Sequence, residues 1–310
     1  MRKLFRIAVI GFSVILIAVL VAWWAMSATQ ENRIMDDEAR KAAPGTFVRL
    51  TDGITHYLET GPAKGTPVVL IHGGGITGME VWENTAPFLA ENGFHVLSYD
   101  LYGRGYSDRL NGDYTSEVMD RQLTELLQKI NFPDTINIMC MSMGAMIAAD
   151  YTAAHPEKVN RIVMMDPYMT GDAKPSALLR IPVVSGLLMT MYWYPRALEN
   201  QRKEFVDQPF FESYAKRLDY FMKFKGYKDV NSSTWTKMQP YSKLSKLEEI
   251  YPNRILLMYG SKDPYFSAGI AEVYQRHYPT LKTKEIPEAG HMPHLERAEV
   301  VNPVILDFLK

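Results

Sequence analysis

Along this chain, short apolar runs alternate with longer amphipathic stretches, and a single extended apolar segment precedes them all. That segment, residues 7–26, carries no charged side chain and is dominated by apolar ones. Its length is about what a helix needs to cross a bilayer core of roughly 30 Å. Farther along, residues 66–71, 95–99, 135–141, 159–165, 254–259 and 281–286 each read as a short strand. Several of them are apolar throughout, as strands covered on both faces are. Between them, residues 119–130 and 268–277 have helical periodicity, and 144–155 also reads as a helix. Strands alternating with helices in this way predict an α/β fold with a mostly parallel sheet.

The ends of those strands carry the chemistry. The strand at 135–141 runs into Cys140-Met141-Ser142-Met143-Gly144, a serine between two small residues at a strand-to-helix junction. A turn this tight projects the serine hydroxyl from the backbone, and Gly144 lets the following helix pack against the strand. The position usually filled by a first glycine is Cys140 here. The strand at 66–71 ends in His72-Gly73-Gly74-Gly75, where the lack of side chains opens backbone N–H groups to a ligand. Residues 95–99 lead into Asp100-Leu101-Tyr102-Gly103-Arg104-Gly105-Tyr106-Ser107-Asp108. Downstream come Gly260-Ser261-Lys262-Asp263 and Glu288-Ala289-Gly290-His291, so serine, aspartate and histidine follow one another in chain order.

From about Phe47 to Lys310, these motifs in this order resemble the α/β-hydrolase fold family. The resemblance implies a mostly parallel sheet flanked by helices, a Ser-His-Asp triad and no cofactor. It makes Ser142 the nucleophile, His291 the general base and Asp263 the acid that orients it. The oxyanion donors would be the backbone N–H groups of Gly74 and Met143. Asp166, at the end of the 159–165 strand, is a rival acid, since some members of the fold carry it there. His294 is read as a packing or hydrogen-bonding residue opening the last helix, and His72 as support for the glycine loop. Asp100 and Asp108 are expected to brace the loop around Gly103 and Gly105, and Cys140 to be buried and inert.

Composition narrows the field. With 310 residues, 47% hydrophobic and 22% charged, one globular domain with an insertion is expected. A net charge of -1 offers nothing to a nucleic acid, and a single cysteine excludes an internal disulfide framework. No metal-ligand spacing stands out. Arg2, Lys3 and Arg6 precede the apolar segment, whereas Glu31, Asp36, Asp37 and Glu38 follow it. That asymmetry favours a single-pass anchor over residues 1–26 with the catalytic domain extracytoplasmic. The rival is a cleaved signal, for which Ala25-Met26-Ser27 is a passable site, releasing a secreted or periplasmic enzyme. Residues 27–45 read as a polar linker.

The core is then expected over 46–167 and 241–310, with a helical cap over 168–240. Within the cap, residues 181–194 are the most apolar, and Phe210, Phe211, Tyr214, Leu218, Phe221 and Met222 recur at helical spacing. Both stripes are read first as the cap's own core. A lining for an acyl pocket is the second reading, and a dip of 181–194 into the membrane surface the third. The expected activity is hydrolysis of a lipophilic carboxylic ester, in the manner of an esterase or monoacylglycerol lipase. The alternatives are hydrolysis of a carbon–carbon bond in a diketone-like ring-cleavage product, or a binding protein that has lost catalysis. Dehalogenase and epoxide hydrolase chemistry would need aspartate at position 142.

Overall fold

The structure, a computed structural model, describes residues 2–167, 177–238, 247 and 253–310. Its strands are β1 (Thr46–Arg49), β2 (Ile54–Thr60), β3 (Thr66–Ile71), β4 (Phe94–Tyr99), β5 (Ile136–Met141), β6 (Val159–Met165), β7 (Ile255–Gly260) and β8 (Lys282–Ile286). Among the described residues they form one sheet in the order β1-β2-β4-β3-β5-β6-β7-β8. The β1–β2 hairpin joins β4 antiparallel, and every pairing from β4 through β8 is parallel.

The apolar runs become buried strands because successive side chains point to opposite faces and both faces are covered. Val69 and Ile71 of β3 enter one core, with Ile138 and Cys140 of β5 and Ile162 and Met164 of β6. The intervening Val68, Leu70, Met139, Met141, Val163 and Met165 enter the other. Helices α1 (Arg2–Gln30), α2 (Asp37–Arg40), α3 (Ala86–Glu91), α4 (Ser116–Lys129) and α5 (Gly144–Ala154) come before β6. Thr115 caps α4 by accepting the Val118 N–H, which fixes where that helix begins.

After β6 the chain forms a helical layer: α6 (Pro182–Leu188), a π-helical turn over Met189–Trp193, α7 (Tyr194–Arg202), α8 (Gln208–Met222) and α9 (Tyr227–Lys237). Asp207 caps α8 through the Phe210 N–H. Residues 168–176 and 239–240 of the expected cap, and 241–246 and 248–252 of the expected core, lie outside the described residues. The chain then continues through β7, α10 (Ala268–His277), β8, α11 (Pro293–Glu296) and α12 (Ala298–Leu309). His294 therefore sits in a separate short helix, because the turn at Arg297 ends α11 before the last helix starts.

Two expectations change on packing. The α8 stripe is core, with Phe211, Tyr214, Leu218, Phe221 and Met222 buried, but the 181–194 stripe is not. There Ile181, Val183 and Tyr192 are exposed, and the buried positions are Ser185, Met189 and Thr190. Nor is the 27–45 segment a free tether. Helix α1 runs unbroken to Gln30, Arg33 pairs with the backbone at Lys223 and Lys225, and a buried Arg40 binds Asp108 and the Tyr106 carbonyl.

Candidate active site

Ser142 leaves β5 in the left-handed backbone region, with φ +48°, which a non-glycine residue adopts only at a cost. The turn is fixed from both sides: the Ser142 N–H donates to the Met165 carbonyl (2.9 Å), and its own carbonyl accepts from Ala145 (3.1 Å). Helix α5 starts two residues on and passes over the end of β3. A Cβ at Gly144 would stand 2.5 Å from the Ile71 oxygen and 2.7 Å from that of His72, so only glycine fits there. The sequence pattern around Ser142 thus has a steric origin.

His291 Nδ1 lies 2.8 Å from Asp263 Oδ2, and both side chains are buried. A carboxylate partner places the proton on Nδ1 and leaves Nε2 as the basic atom. Burial pulls the His291 pKa down, but the hydrogen bond to Asp263 and the charges of Glu204 and Asp263 outweigh it, so the net shift is upward. Burial pushes Asp263 up; its bonds with His291, Asp166 and the Tyr265 amide outweigh that, and it titrates below the ordinary carboxylate range. Tyr265 also meets the His291 ring edge-on at 5.2 Å.

The loop carrying His291 is held by the helical layer. The Glu204 carbonyl accepts the His291 N–H (2.8 Å). The Glu296 carboxylate accepts N–H groups from Val206, Asp207 and Gly290, each at 2.6 Å. A side chain at Gly290 would collide with the Glu204 carbonyl, which is why glycine precedes the histidine. Glu296 lies in the sequence run after His291, but nothing in the sequence singled out Glu204, which meets His291 only through tertiary packing.

Asp166 also has a positive φ, +42°, and is fully buried at the end of β6. Its Oδ1 accepts the Gly260 N–H at 2.9 Å. Burial first, and then the neighbouring Asp263, push its pKa well above the usual value, which favours the neutral acid. Asp166, Asp263 and His291 form the one described group of three potential metal ligands, with atoms within 4.8 Å of each other. The hydrogen bond between Asp263 and His291 already accounts for that closeness.

On the opposite side, His72 is a brace. Its Nδ1 bonds the Gly73 carbonyl (2.8 Å) and its Nε2 accepts the Leu101 N–H (3.0 Å). Burial lowers its pKa to about 4, so the ring is neutral at pH 7. Arg104, fully buried, donates to the carbonyls of Gly74 (3.2 Å) and Tyr102 (3.1 Å) and to the Thr234 hydroxyl (2.9 Å). It therefore ties the glycine loop to α9, a role the sequence did not signal. Asp100 braces its loop by accepting N–H groups from Met79 and Tyr106. Asp108 braces the Gly103 turn through its backbone carbonyl, which accepts the Gly103 N–H (2.8 Å), while its carboxylate accepts the Ile54 N–H and binds Arg40.

These elements enclose a cavity of about 650 Å³ at the carboxyl ends of the parallel strands. Ser142, His291, Gly74, Asp166 and Arg104 line it, along with apolar Ile76, Val81, Leu218, Trp235 and Phe266. Asp263 is joined to it through His291. Met143 is turned aside, its sulfur 3.8 Å from Arg104 and from the position a Gly74 Cβ would take. Cys140 is wholly buried and its thiol pKa is raised by burial alone, which leaves it inert.

A model of the alpha/beta hydrolase fold matches residues 66–298, and the chain belongs to that family. A 2-hydroxy-6-oxo-6-(2'-aminophenyl)hexa-2,4-dienoic acid hydrolase of Metapseudomonas resinovorans is 34% identical over 42% of this chain and 45% of its own. This chain therefore matches under half of that relative's length. A 2-hydroxy-6-oxononadienedioate/2-hydroxy-6-oxononatrienedioate hydrolase of Dechloromonas aromatica is 26% identical over 87% of this chain and 96% of its own. Among solved structures, a thermophilic esterase from Thermogutta terrifontis superposes with a TM-score of 0.71 at 21% identity. That match covers 86% of this chain and 98% of the esterase. Its family and fold are those of the alpha/beta hydrolases.

Proposed function

We propose that the chain is a serine hydrolase that cleaves carboxylic esters of lipophilic acyl groups and is retained in the membrane by α1. The observation that carries this reading is the convergence of Ser142, on its positive-φ turn, and the Asp263–His291 pair on one largely apolar cavity. His291 Nε2 accepts the Ser142 proton as the hydroxyl attacks the ester carbonyl, and Asp263 steadies the resulting imidazolium. The oxyanion is taken up by the N–H groups of Gly74 and Met143. The proton passes to the departing alcohol. Water, deprotonated by the same histidine, then attacks the acyl-enzyme and releases the acid. The helix α1 is long and apolar enough to span a membrane.

The test is hydrolysis of p-nitrophenyl esters of graded chain length, with Ser142→Ala alongside. Ser142-dependent turnover that rises toward medium or long acyl chains is expected. Activity surviving in Ser142→Ala would overturn the mechanism.

A second reading has its own support, hydrolysis of a carbon–carbon bond. The two relatives above are named for 6-oxo acids, molecules with a ketone and no ester, so their hydrolysis breaks carbon to carbon. Such acids carry carboxylates, and the Arg104 guanidinium lines this cavity with only neutral hydrogen-bond partners among the described residues. Turnover of a 2-hydroxy-6-oxo dienoate, with no turnover of any ester, would select it.

A further inference from the structure

The membrane-spanning length of α1 is not separate from the helical layer over the site. Val19, Ala22, Trp23, Met26, Ser27 and Gln30 are half-buried at i, i+3, i+4, i+7, i+8 and i+11, which is one face of the helix. That face lies against the turn at Met189–Trp193 and the helices on either side of it. Trp23 Nε1 donates to Thr190 Oγ1 (3.2 Å), Gln30 Nε2 to the Thr190 carbonyl (2.9 Å), and the Tyr194 hydroxyl to the Gln30 carbonyl (2.9 Å). Lys228 of α9 pairs with Glu31 (3.2 Å). A Cβ on Gly186 would stand 3.4 Å from the Trp23 ring.

These contacts fix a direction. Tyr194 meets Gln30, Thr190 meets residues 23–30, and Gly186 meets Trp23, so α6 runs parallel to α1. Following it back to Pro182 leads toward the bare, apolar half of α1. The span from Ile7 to Trp24 is about 27 Å at 1.5 Å per residue, close to the hydrocarbon thickness of roughly 30 Å. Trp23 and Trp24 then sit at the bilayer surface, the level where Trp and Tyr collect. The turn bearing Tyr192 and Trp193 follows within about two helical turns, between the Thr190 and Tyr194 contacts. Ile181 and Val183, 48% and 58% exposed, lie beyond it on the bilayer side.

We infer that α6 and the turn after it seat the helical layer in the membrane, so that the catalytic cavity takes its substrate from the lipid. A second cavity of about 460 Å³ is lined by Met189 and Trp193 on the α1-facing element. It shares Leu218, Trp235 and Tyr265 with the catalytic cavity, and the Trp193 and Trp235 rings lie 5.4 Å apart. This gives a path from the aromatic level to Ser142. The occupant is a phospholipid surface, because the apolar face continues that of a helix built for the bilayer. The seating rests on this geometry alone; only the identity of the substrate drawn from the lipid rests on the ester-hydrolase reading.

The test uses the full chain reconstituted in phosphatidylcholine:phosphatidylglycerol 3:1 vesicles. Cys140 is buried, so a maleimide fluorophore on Val183→Cys reports from one position. Quenching by lipids spin-labelled in the acyl chain should be several-fold stronger there than at Lys64→Cys, an exposed site before β3 at the far end of the sheet. Equal quenching at both sites would overturn the seating. In a second measurement, Val183→Glu should lower by tenfold or more the ratio of kcat/KM for vesicle-borne monooleoylglycerol to that for p-nitrophenyl acetate. An unchanged ratio would overturn delivery from the lipid. Strong quenching with no turnover of either ester would uphold the seating and defeat the ester reading instead.

Discussion

Asp166 and Asp263 come from the ends of adjacent strands and bring their carboxyl oxygens within 4.8 Å of each other and of a His291 ring nitrogen. Their pKa values are shifted in opposite directions: burial raises that of Asp166, while the His291 bond lowers that of Asp263 against its own burial. A neutral Asp166 can donate to Asp263 while accepting from Gly260, which an asparagine would also do. Asp166→Asn should therefore keep kcat within about tenfold of the parent. Asp263→Asn should lose on the order of 10³–10⁴-fold, because it favours the wrong imidazole tautomer. Steady-state kinetics on both variants decides it, and the reverse ranking would make Asp166 the acid.

The acid limb of the pH profile follows from the same pair. The base must be neutral to act, and the His291 pKa is raised above its usual 6.5. Activity should accordingly fall as pH drops through a midpoint above 6.5. Removing the Asp263 charge should move the residual activity's midpoint downward. A kcat/KM profile of parent and Asp263→Asn checks this; a limb that stays in place in the variant would mean another group controls it.

Much of this site could be read from the chain because its residues lie in short motifs at strand ends. Ser142, Gly144, Gly290 and His291 keep a fixed spacing after their strands, so the sequence carries them, although the atoms that demand glycine at 144 and 290 belong to the β3 end and Glu204. Arg104, Glu204 and Glu296 act across distances of 30 to 130 residues in sequence, through contacts that only the assembled fold creates. The 181–194 stripe misled for another reason. Apolar residues seek any water-free surroundings, and composition does not tell a protein core from a lipid one.

Protein stability offers a separate check. His294 is fully buried against Trp82, ring centroids 4.6 Å apart, and burial lowers its pKa to about 3. In the unfolded chain it would titrate near 6.5. A depressed base stabilises the fold fully above 6.5, and that contribution is lost as pH falls from there toward 3. Between those limits the unfolded state holds one more proton, so stability should fall by about 1.4 kcal/mol per pH unit on this account. His294→Phe removes the proton but keeps the ring. The difference in unfolding free energy between variant and parent should shift with pH at about that slope from 6 to 4. A flat difference would show that His294 is protonated in the fold.

A steric requirement at the nucleophile turn concerns Gly144. Its missing Cβ would lie 2.5 Å and 2.7 Å from two carbonyl oxygens of the β3 end, and backbone atoms cannot yield as a flexible side chain can. Gly144→Ala must therefore push α5 away from β3 or distort the turn at Ser142. Overpacking of this kind costs about 1–3 kcal/mol. In a chain of this size that corresponds to a fall of roughly 2–10 °C in thermal midpoint. Activity should fall further than stability, because the displaced segment carries Ser142 and the Met143 N–H. Gly112→Ala supplies the comparison, since no atom lies within 4 Å of the Cβ it would add. Thermal unfolding and ester turnover of both variants test the point together. A Gly144→Ala protein indistinguishable from Gly112→Ala would mean that α5 does not cross the β3 end as closely as this packing requires.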